Sequence, residues 1–340
     1  MIYESMDCKE SCYAVNQTFF IPFFFLFFMV GKKGKKCIVM LSGGLDSRLA
    51  VKIMQEQGFD VLALFFRLPF GAGCCDENCS FNFSQLQGVE LKIVNCSKGK
   101  LLHEYLGILK NPQYGTGAGV NPCVDCRIFM FKKAREFADK EGIELVVTGE
   151  VIGERPMSQR KKPMNVIEEQ SGLKGRLLRP LSAKLLPETE AEKRGIVDRS
   201  KLYSIYGRKR DKQIALAKRF KISYPSPAGG CLLCEKALSK RFLALLDRGM
   251  NEEEIKVASM GRHFFINKKW VVLGRNEKEN KILEAFKGDY ELRVPDFSGP
   301  SALILDKTDE DTNKKVDELI KAYSKLGSLE ERKKFEKYKL

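Results

Sequence analysis

CIVMLSGGLDS, residues 37–47, decides the fold. CIVML (37–41) is a short apolar run of the kind that makes a buried strand, and SGGLDS (42–47) breaks it at once. Beyond it Leu45, Leu49, Ile53 and Met54 recur on one face of a helix that ends at Gly58. Two glycines at a strand-to-helix turn let backbone N–H groups close on a phosphate, and the helix N-terminus adds its partial positive charge. Ser42 and Ser47 can donate hydroxyl bonds there, and Asp46 can hold a magnesium ion that bridges phosphates. A plain Gly-Gly turn capped by Ser or Asp is the bland alternative. The placement between strand and helix favours the phosphate site, and the absence of GxxxxGK[ST] excludes a Walker-type ATPase.

Working outward, VLALFF (61–66) reads as a second strand, LKIVN (91–95) as a third and ELVVTGE (144–150) as a fourth, with a helix over 126–141. GRLLRPLSAKLLP (175–187) reads as a further strand and connection. Strands that alternate with helices predict an α/β domain with a parallel sheet. Ligands of such sheets bind beyond the carboxyl ends of the strands, where SGGLDS, the 111–126 loop and Glu150 should all emerge.

A length of 340 residues suits two domains. With 59 basic and 44 acidic residues the net charge is +15, which points to a polyanionic partner. Two histidines, His103 and His263, exclude chemistry that needs several imidazoles. Eleven cysteines fit reduced thiols or metal ligands in a cytoplasmic protein better than a secreted disulfide scaffold. Residues 1–36 do not conform to this pattern: FFIPFFFLFFMV (19–30) is too short for a membrane span, is broken by Pro22, and has its positive charges after the apolar run. A misassigned start codon accounts for it, an interfacial anchor being the alternative, and no stable membrane association is expected.

Cysteine spacing carries the next signal. In NPCVDC (121–126) Pro122 holds Asn121 extended, and Cys123 and Cys126 stand at the mouth of a helix, where the dipole lowers a thiol's pKa. Cys231 and Cys234 form a second CxxC in PSPAGGCLLC (225–234). Two such pairs can hold zinc or an iron–sulfur cluster. Cys74, Cys75 and Cys79 read as loop thiols.

SGGLDS resembles the SGGxDS signature of the PP-loop ATP pyrophosphatases, which cleave ATP between the α and β phosphates and adenylate an oxygen of the substrate. NPCVDC is similar to the NPC-x-x-C segment of those family members that put sulfur into tRNA. The resemblance covers about residues 37–234 and implies that Ser42, Gly43, Gly44, Asp46 and Ser47 bind ATP with Mg2+. In one branch CxxC plus one distant cysteine binds a 4Fe–4S cluster, an arrangement that Cys123, Cys126 and Cys231 match. Another branch uses two redox-active cysteines and no cluster, the distant one carrying a persulfide, and zinc is the third reading. Catalytic roles then fall to Asp46, Cys123 and Cys231, with sulfide or a persulfide carrier as sulfur donor. TGE at 148–150 departs from the TGH-like sequence of several relatives.

Residues 151–220 hold 18 Lys and Arg against 8 Asp and Glu. Arg155, Arg160, Lys161, Lys162, Arg208 and Arg210 border the expected nucleotide loops and read as a grip on an RNA backbone, with Arg179 and Lys184 aimed at the same edge. A solvated charge run is the alternative. Residues 235–340 form a smaller α+β domain: helices over 235–257, a hairpin and helix over 262–286, and charged helices that end in a solvated KKFEKYKL tail. Phe264 and Trp270 read as core. GRNEKEN resembles the RNA-binding domain of the fibronectin-binding-like, ribosome-associated proteins. The whole reads as an ATP-dependent tRNA sulfurtransferase. A PP-loop ligase or amidotransferase with structural zinc, and a non-catalytic RNA-binding protein, are the alternatives.

Overall fold

The computed structural model describes residues 34–71, 77–226, 231–286 and 290–340. Cys8, Cys12, Cys74, Cys75 and the 19–30 apolar run lie outside the described residues. The chain divides into two compact units. The first holds the residues up to Cys96 together with Pro112–Gly117 and Pro122–Cys231. The second holds Ser97–Asn111, Ala118–Asn121 and Leu232–Leu340. The division therefore differs from a single cut after residue 234.

In the first unit the elements run β1 (Lys35–Met40), α1 (Leu45–Glu56), β2 (Phe59–Arg67), α2 (Glu77–Gln87) and β3 (Glu90–Asn95). After α3 (Gly99–Lys110), which belongs to the second unit, come α4 (Cys123–Lys140), β4 (Leu145–Thr148), α5 (Lys161–Ser171), β5 (Leu177–Leu178), α6 (Glu190–Lys193) and α7 (Asp211–Arg219). The sheet has the order β3-β2-β1-β4-β5 and every pairing in it is parallel. Its central strands are buried on both faces, which is why Cys37–Met40 and Leu145–Thr148 read as unbroken apolar runs. Burial pushes the Cys37 thiol far up, so this cysteine is a small hydrophobe and not a nucleophile.

The strand order reverses direction at β1. The chain moves outward from β1 to β2 and β3, then returns to β4 on the opposite side of β1. Ligands of doubly wound sheets bind at such a switch point, beyond the carboxyl ends of the strands, here those of β1 and β4. SGGLDS leaves β1 there and Gly149–Glu150 leave β4.

The second unit continues from α3 with α8 (Ser239–Arg248), α9 (Glu252–Ala258), β6 (Arg262–Ile266), β7 (Lys269–Leu273), α10 (Glu277–Glu284), β8 (Glu291–Arg293), β9 (Ala302–Ile304), α11 (Glu310–Tyr323) and α12 (Leu329–Glu336). Its antiparallel sheet has the order β6-β7-β9-β8. Phe264, Val271, Ile304, Val316 and Leu319 form one apolar core between that sheet and α11. The C-terminal segment is not the solvated tail its charge suggested: Phe265 N–H donates to Tyr338 O at 2.8 Å and Leu340 N–H to His263 O at 2.9 Å. Phe335 is buried, so an apolar residue inside the charged run fixes the end of the chain.

Trp270 is core, as expected, and it sits in a polar knot. Its indole N–H donates to His263 Nδ1 at 2.9 Å, and His263 Nε2 meets Met260 O at 2.5 Å. An acceptor at Nδ1 leaves the proton on Nε2, so the imidazole is neutral with both nitrogens used. Arg248 lies 5.2 Å from the indole centroid and pairs with Asp306, which also accepts from Trp270 N–H. Burial, aided by Arg241, pushes the His263 pKa down to about 3 from 6.5. Unfolded chains therefore bind a proton at His263 that native chains do not, and stability falls as pH drops from 6.5 toward 3. The expected slope from this group is up to about 1.4 kcal/mol per pH unit, with no contribution above that range. Trp270 is the chain's single tryptophan, so urea unfolding followed by its fluorescence reads this unit alone. His263→Gln should flatten the difference between pH 7.5 and pH 5.

Candidate active site

Gly43 holds φ +81°, a left-handed conformation that strains any side chain, and so turns the chain from β1 into α1. Ser47 closes the loop from inside the helix. Its hydroxyl accepts from Ser42 N–H and from the Ser42 hydroxyl, both at 3.2 Å, and donates to Gly44 O at 2.9 Å. Gly44 is the N-cap residue and has no side chain, so the first N–H groups of α1 carry no side-chain cap. A bound anion would supply what the cap does not.

Arg48, the next residue, fastens the loop from behind. Its Nε donates to Gly43 O, its Nη1 to Ser223 O, each at 2.7 Å, and its Nη2 to Cys79 Sγ at 2.9 Å. The guanidinium is buried and lies 4.8 Å from the Phe83 ring centroid. Cys79 is thus a buried structural partner of the loop, not a surface thiol.

Gly149 sets the distance between β4 and the loop. A Cβ there would lie 2.4 Å from the Asp46 carbonyl carbon and 2.5 Å from both Asp46 O and Ser47 N. Those atoms are backbone and cannot swing away, so the TGE sequence needs its glycine at this position.

Glu150 turns inward into a buried ion network. Its Oε2 accepts from Arg179 Nε at 2.9 Å and from the Thr148 hydroxyl at 3.3 Å, and its Oε1 faces Arg127 Nε at 3.7 Å. Arg179 also pairs with Glu168. Arg179 is fully buried, so it does not reach the RNA-facing edge that its sequence context suggested. Lys184 stays exposed and donates to Ser200 O at 2.8 Å.

The basic clusters converge because residues 206–207 run beside 152–153. Ile152 and Tyr206 form a bridge, and Gly207 N–H donates to Ile152 O at 2.7 Å. This brings Arg210 to the loop, with Nη2 3.7 Å from Asp46 Oδ2. Arg155 and Glu154 lie within electrostatic reach of Asp46. Burial raises the Asp46 carboxyl above its usual range, opposed by Arg210, Gln213 and Arg155. Burial likewise raises Glu154, and the charge of Asp46 adds to the effect. Asp46 Oδ1 is buried without a hydrogen-bond partner, an orphaned oxygen that suits a cation bridging phosphates. Arg155, Arg160, Lys161, Lys162 and Arg208 are exposed; Arg210 is half-buried.

Cys123 and Cys126 occupy the first turn of α4, half-buried, as the sequence predicts. Asp125 between them accepts from Gln113 and Tyr114 N–H, which ties the 112–117 loop to that turn. Cys231 falls in the same unit and lies 3.1 Å from Phe70 O, whereas Cys234 falls in the second unit. Among the described residues no group of three His, Cys, Asp or Glu side chains stands close enough to hold a metal ion. Arg48, Gly149, Glu154 and Gln213 escaped the sequence reading, although Arg48 directly follows the motif and Gly149 lies within TGE.

Residues 31–189 match the family described as Thiamine biosynthesis protein (ThiI), and residues 261–336 match the NFACT protein RNA binding domain. A tRNA-specific 2-thiouridylase MnmA of Methylobacillus flagellatus is 32% identical over 124 residues, which cover 34% of this chain and 34% of that protein. A probable tRNA sulfurtransferase of Methanobrevibacter smithii is 31% identical over 128 residues, or 37% of this chain and 32% of that one. The bifunctional protein NifU/MnmA of Rubrobacter xylanophilus is 28% identical over 144 residues, 38% of this chain and 28% of the relative. The chain thus spans about a third of the length of the curated relatives it matches. The structure of a 4-thiouridine synthetase–RNA complex with bound ATP has a TM-score of 0.36 at 17% identity and covers 66% of this chain and 52% of its own. The resemblances read from SGGLDS, NPCVDC and GRNEKEN are thereby borne out at the level of family. No described helix is long and apolar enough to cross a membrane.

Gly149→Ala should lower the free energy of unfolding by about 1–3 kcal/mol, because the methyl group has no room. Gly107→Ala, in α3 where nothing lies within 4 Å of the added carbon, should be neutral or stabilising. Urea unfolding followed by circular dichroism compares the two.

Proposed function

We propose that this chain is a cytoplasmic, ATP-dependent tRNA sulfurtransferase. The observation that carries the reading is the SGGLDS loop at the sheet's switch point: uncapped helix N–H groups, two hydroxyls and one orphaned carboxylate oxygen belong to one six-residue turn. The family matches support thiolation over the other acceptors of PP-loop chemistry.

In this reading Ser42, Gly43, Gly44 and Ser47 hold the pyrophosphate part of ATP, and Asp46 would hold Mg2+, which neutralises phosphate charge when bound. The oxygen of a base carbonyl attacks the α phosphorus and pyrophosphate leaves. A sulfur nucleophile then attacks the activated ring carbon and AMP leaves with the original oxygen. A pyrimidine carbonyl oxygen is a poor leaving group by itself, which is why an adenylating loop and sulfur-handling cysteines belong together. Cys123 and Cys231 are the thiols assigned to sulfur delivery, with sulfide or a persulfide carrier as donor.

The target base must leave its stack, so the protein has to grip the flanking backbone. Arg160, Lys161 and Lys162 sit at the N-terminus of α5, where their charges oppose the helix dipole. That arrangement costs helix stability and concentrates positive charge for a phosphate. With Arg155 and Arg208 exposed nearby, it supports a tRNA-backbone contact. The match of residues 261–336 supports a second RNA contact from the other unit.

The test is direct. With ATP, Mg2+ and tRNA the products should be AMP and pyrophosphate, and Asp46→Asn should cost about 100-fold or more in rate. Thionucleosides in cellular tRNA, measured by mass spectrometry, should be lost with the protein. ADP as the product, or unchanged thionucleosides, would favour a small-molecule ligase.

A 4Fe–4S cluster on Cys123, Cys126 and Cys231 is part of the proposal, and no step above runs through it. Anaerobically purified protein is expected to contain iron and acid-labile sulfide. Alanine at Cys123, Cys126 or Cys231 should remove both, and alanine at Cys96, buried after β3, should not. Zinc without iron, or a persulfide on Cys231 with neither metal, would replace the cluster.

A further inference from the structure

The basic residues around the loop do not form one set. Arg208 is exposed, whereas the Arg210 side chain is only 25% exposed and turns back toward the PP-loop. Its nearest carboxylate oxygen is Asp46 Oδ2 at 3.7 Å, beyond the 2.7–3.2 Å of a made N–H···O bond. Its Nε is buried and has no hydrogen-bond partner. Gln213, one turn further along, is fully buried beside Asp46, and neither polar atom of its amide makes a hydrogen bond of good geometry. Asp46 Oδ1 shares that condition. Folded proteins rarely leave one such group unpaired, and four such atoms belong to Asp46 and to two residues within its reach.

The surrounding backbone holds Arg210 and Gln213 there. The 206–207 segment is pinned to Ile152, α7 packs on α1, and Arg48 bonds to Ser223 O just beyond α7. The backbone that carries Arg210 is thereby fixed beside the PP-loop.

We propose that Arg210 and Gln213 belong to the nucleotide site and not to the RNA grip: Arg210 binds a phosphate of ATP through its guanidinium fork, and Gln213 is a positioning residue that orients Asp46. This rests on the ATP reading of the loop. It makes α7 a second wall of the site, supplied by a segment about 165 residues after the motif, and it divides the basic stretch into an inner, nucleotide-facing cation and an outer, RNA-facing set.

The experiment measures equilibrium binding of Mg·ATP, and separately of tRNA over a salt series, on the full chain. If the wild-type chain does not bind Mg·ATP, the functional reading fails and not this assignment. With binding established, Arg210→Ala should weaken Mg·ATP by about 10- to 100-fold, the worth of a charge-assisted bidentate contact. Arg210→Lys should recover only part, because an ammonium is a point charge without the fork. Arg208→Ala is the comparator for the outer set: it should weaken tRNA and reduce the salt slope by about 1. Gln213→Leu should raise the Mg2+ concentration needed for half-maximal ATP binding while the melting temperature stays near that of the wild type. Loss of ATP affinity in Arg210→Ala supports the proposal whatever happens to tRNA. ATP affinity within about twofold of wild type would overturn it, and tRNA affected as in Arg208→Ala would return Arg210 to the outer set. Should Arg210→Ala fail to fold, Arg210→Lys decides by the same two readings.

Discussion

The candidate site depends on one close approach. Where β4 ends, the backbone of Gly149 lies against the backbone of Asp46 and Ser47 with no room for a methyl group. The parallel register of β1 with β4, Met40 opposite Thr148, brings both strand ends to the same level. The glycine then lets them close, and the loop is held between β4 in front and the Arg48 guanidinium behind. A wider gap would leave the N–H groups of α1 without a defined target. The rest of the site, from the Ser42–Ser47 hydroxyl pair to the segment that carries Arg210, is arranged around a loop whose position is already fixed.

Two buried ionic groups lie beside that loop, and they differ in kind. Around Glu150 most of the charge is answered: Arg179 reaches both Glu150 and Glu168, and Thr148 adds a hydroxyl. Breaking such a network leaves a buried charge without a partner, so it acts mainly to hold the end of β4 in one conformation. Around Asp46 the groups face each other without closing. The difference is one of approach: Arg179 Nε meets Glu150 at 2.9 Å, whereas Arg210 Nη2 stays 3.7 Å from Asp46, although each group keeps buried polar atoms without a hydrogen bond.

Much of this was legible in the sequence. The strands around SGGLDS, the helix after NPCVDC and the 262–273 hairpin follow from periodicity and turn residues, because short apolar runs bounded by glycine have few other solutions. What stayed hidden depends on distant partners. The helix of Glu77–Gln87 has only weak amphipathicity, since its inner face carries Cys79, Ser80 and Ser84. Arg179 looks like its basic neighbours, and only the fold brings it to Glu150 and Glu168, 29 and 11 positions away. A run of basic residues announces a polyanion; it does not say which arginine faces inward. The same limit applies to the cysteines, where spacing names the donors but not their convergence.

The interleaved chain has a consequence for synthesis. Gly99–Lys110 packs on Ser239–Arg248, and Gly99 N–H is held by Glu252, yet most of the first unit's α/β chain is made in between. On a ribosome this helix emerges with Leu102, Tyr105 and Leu109 unburied and waits for more than a hundred further residues. Contacts of such sequence separation form late, and apolar surface exposed meanwhile invites aggregation. The α/β unit, with most of its contacts inside residues 35–226, can form while this helix waits for its own unit to be finished.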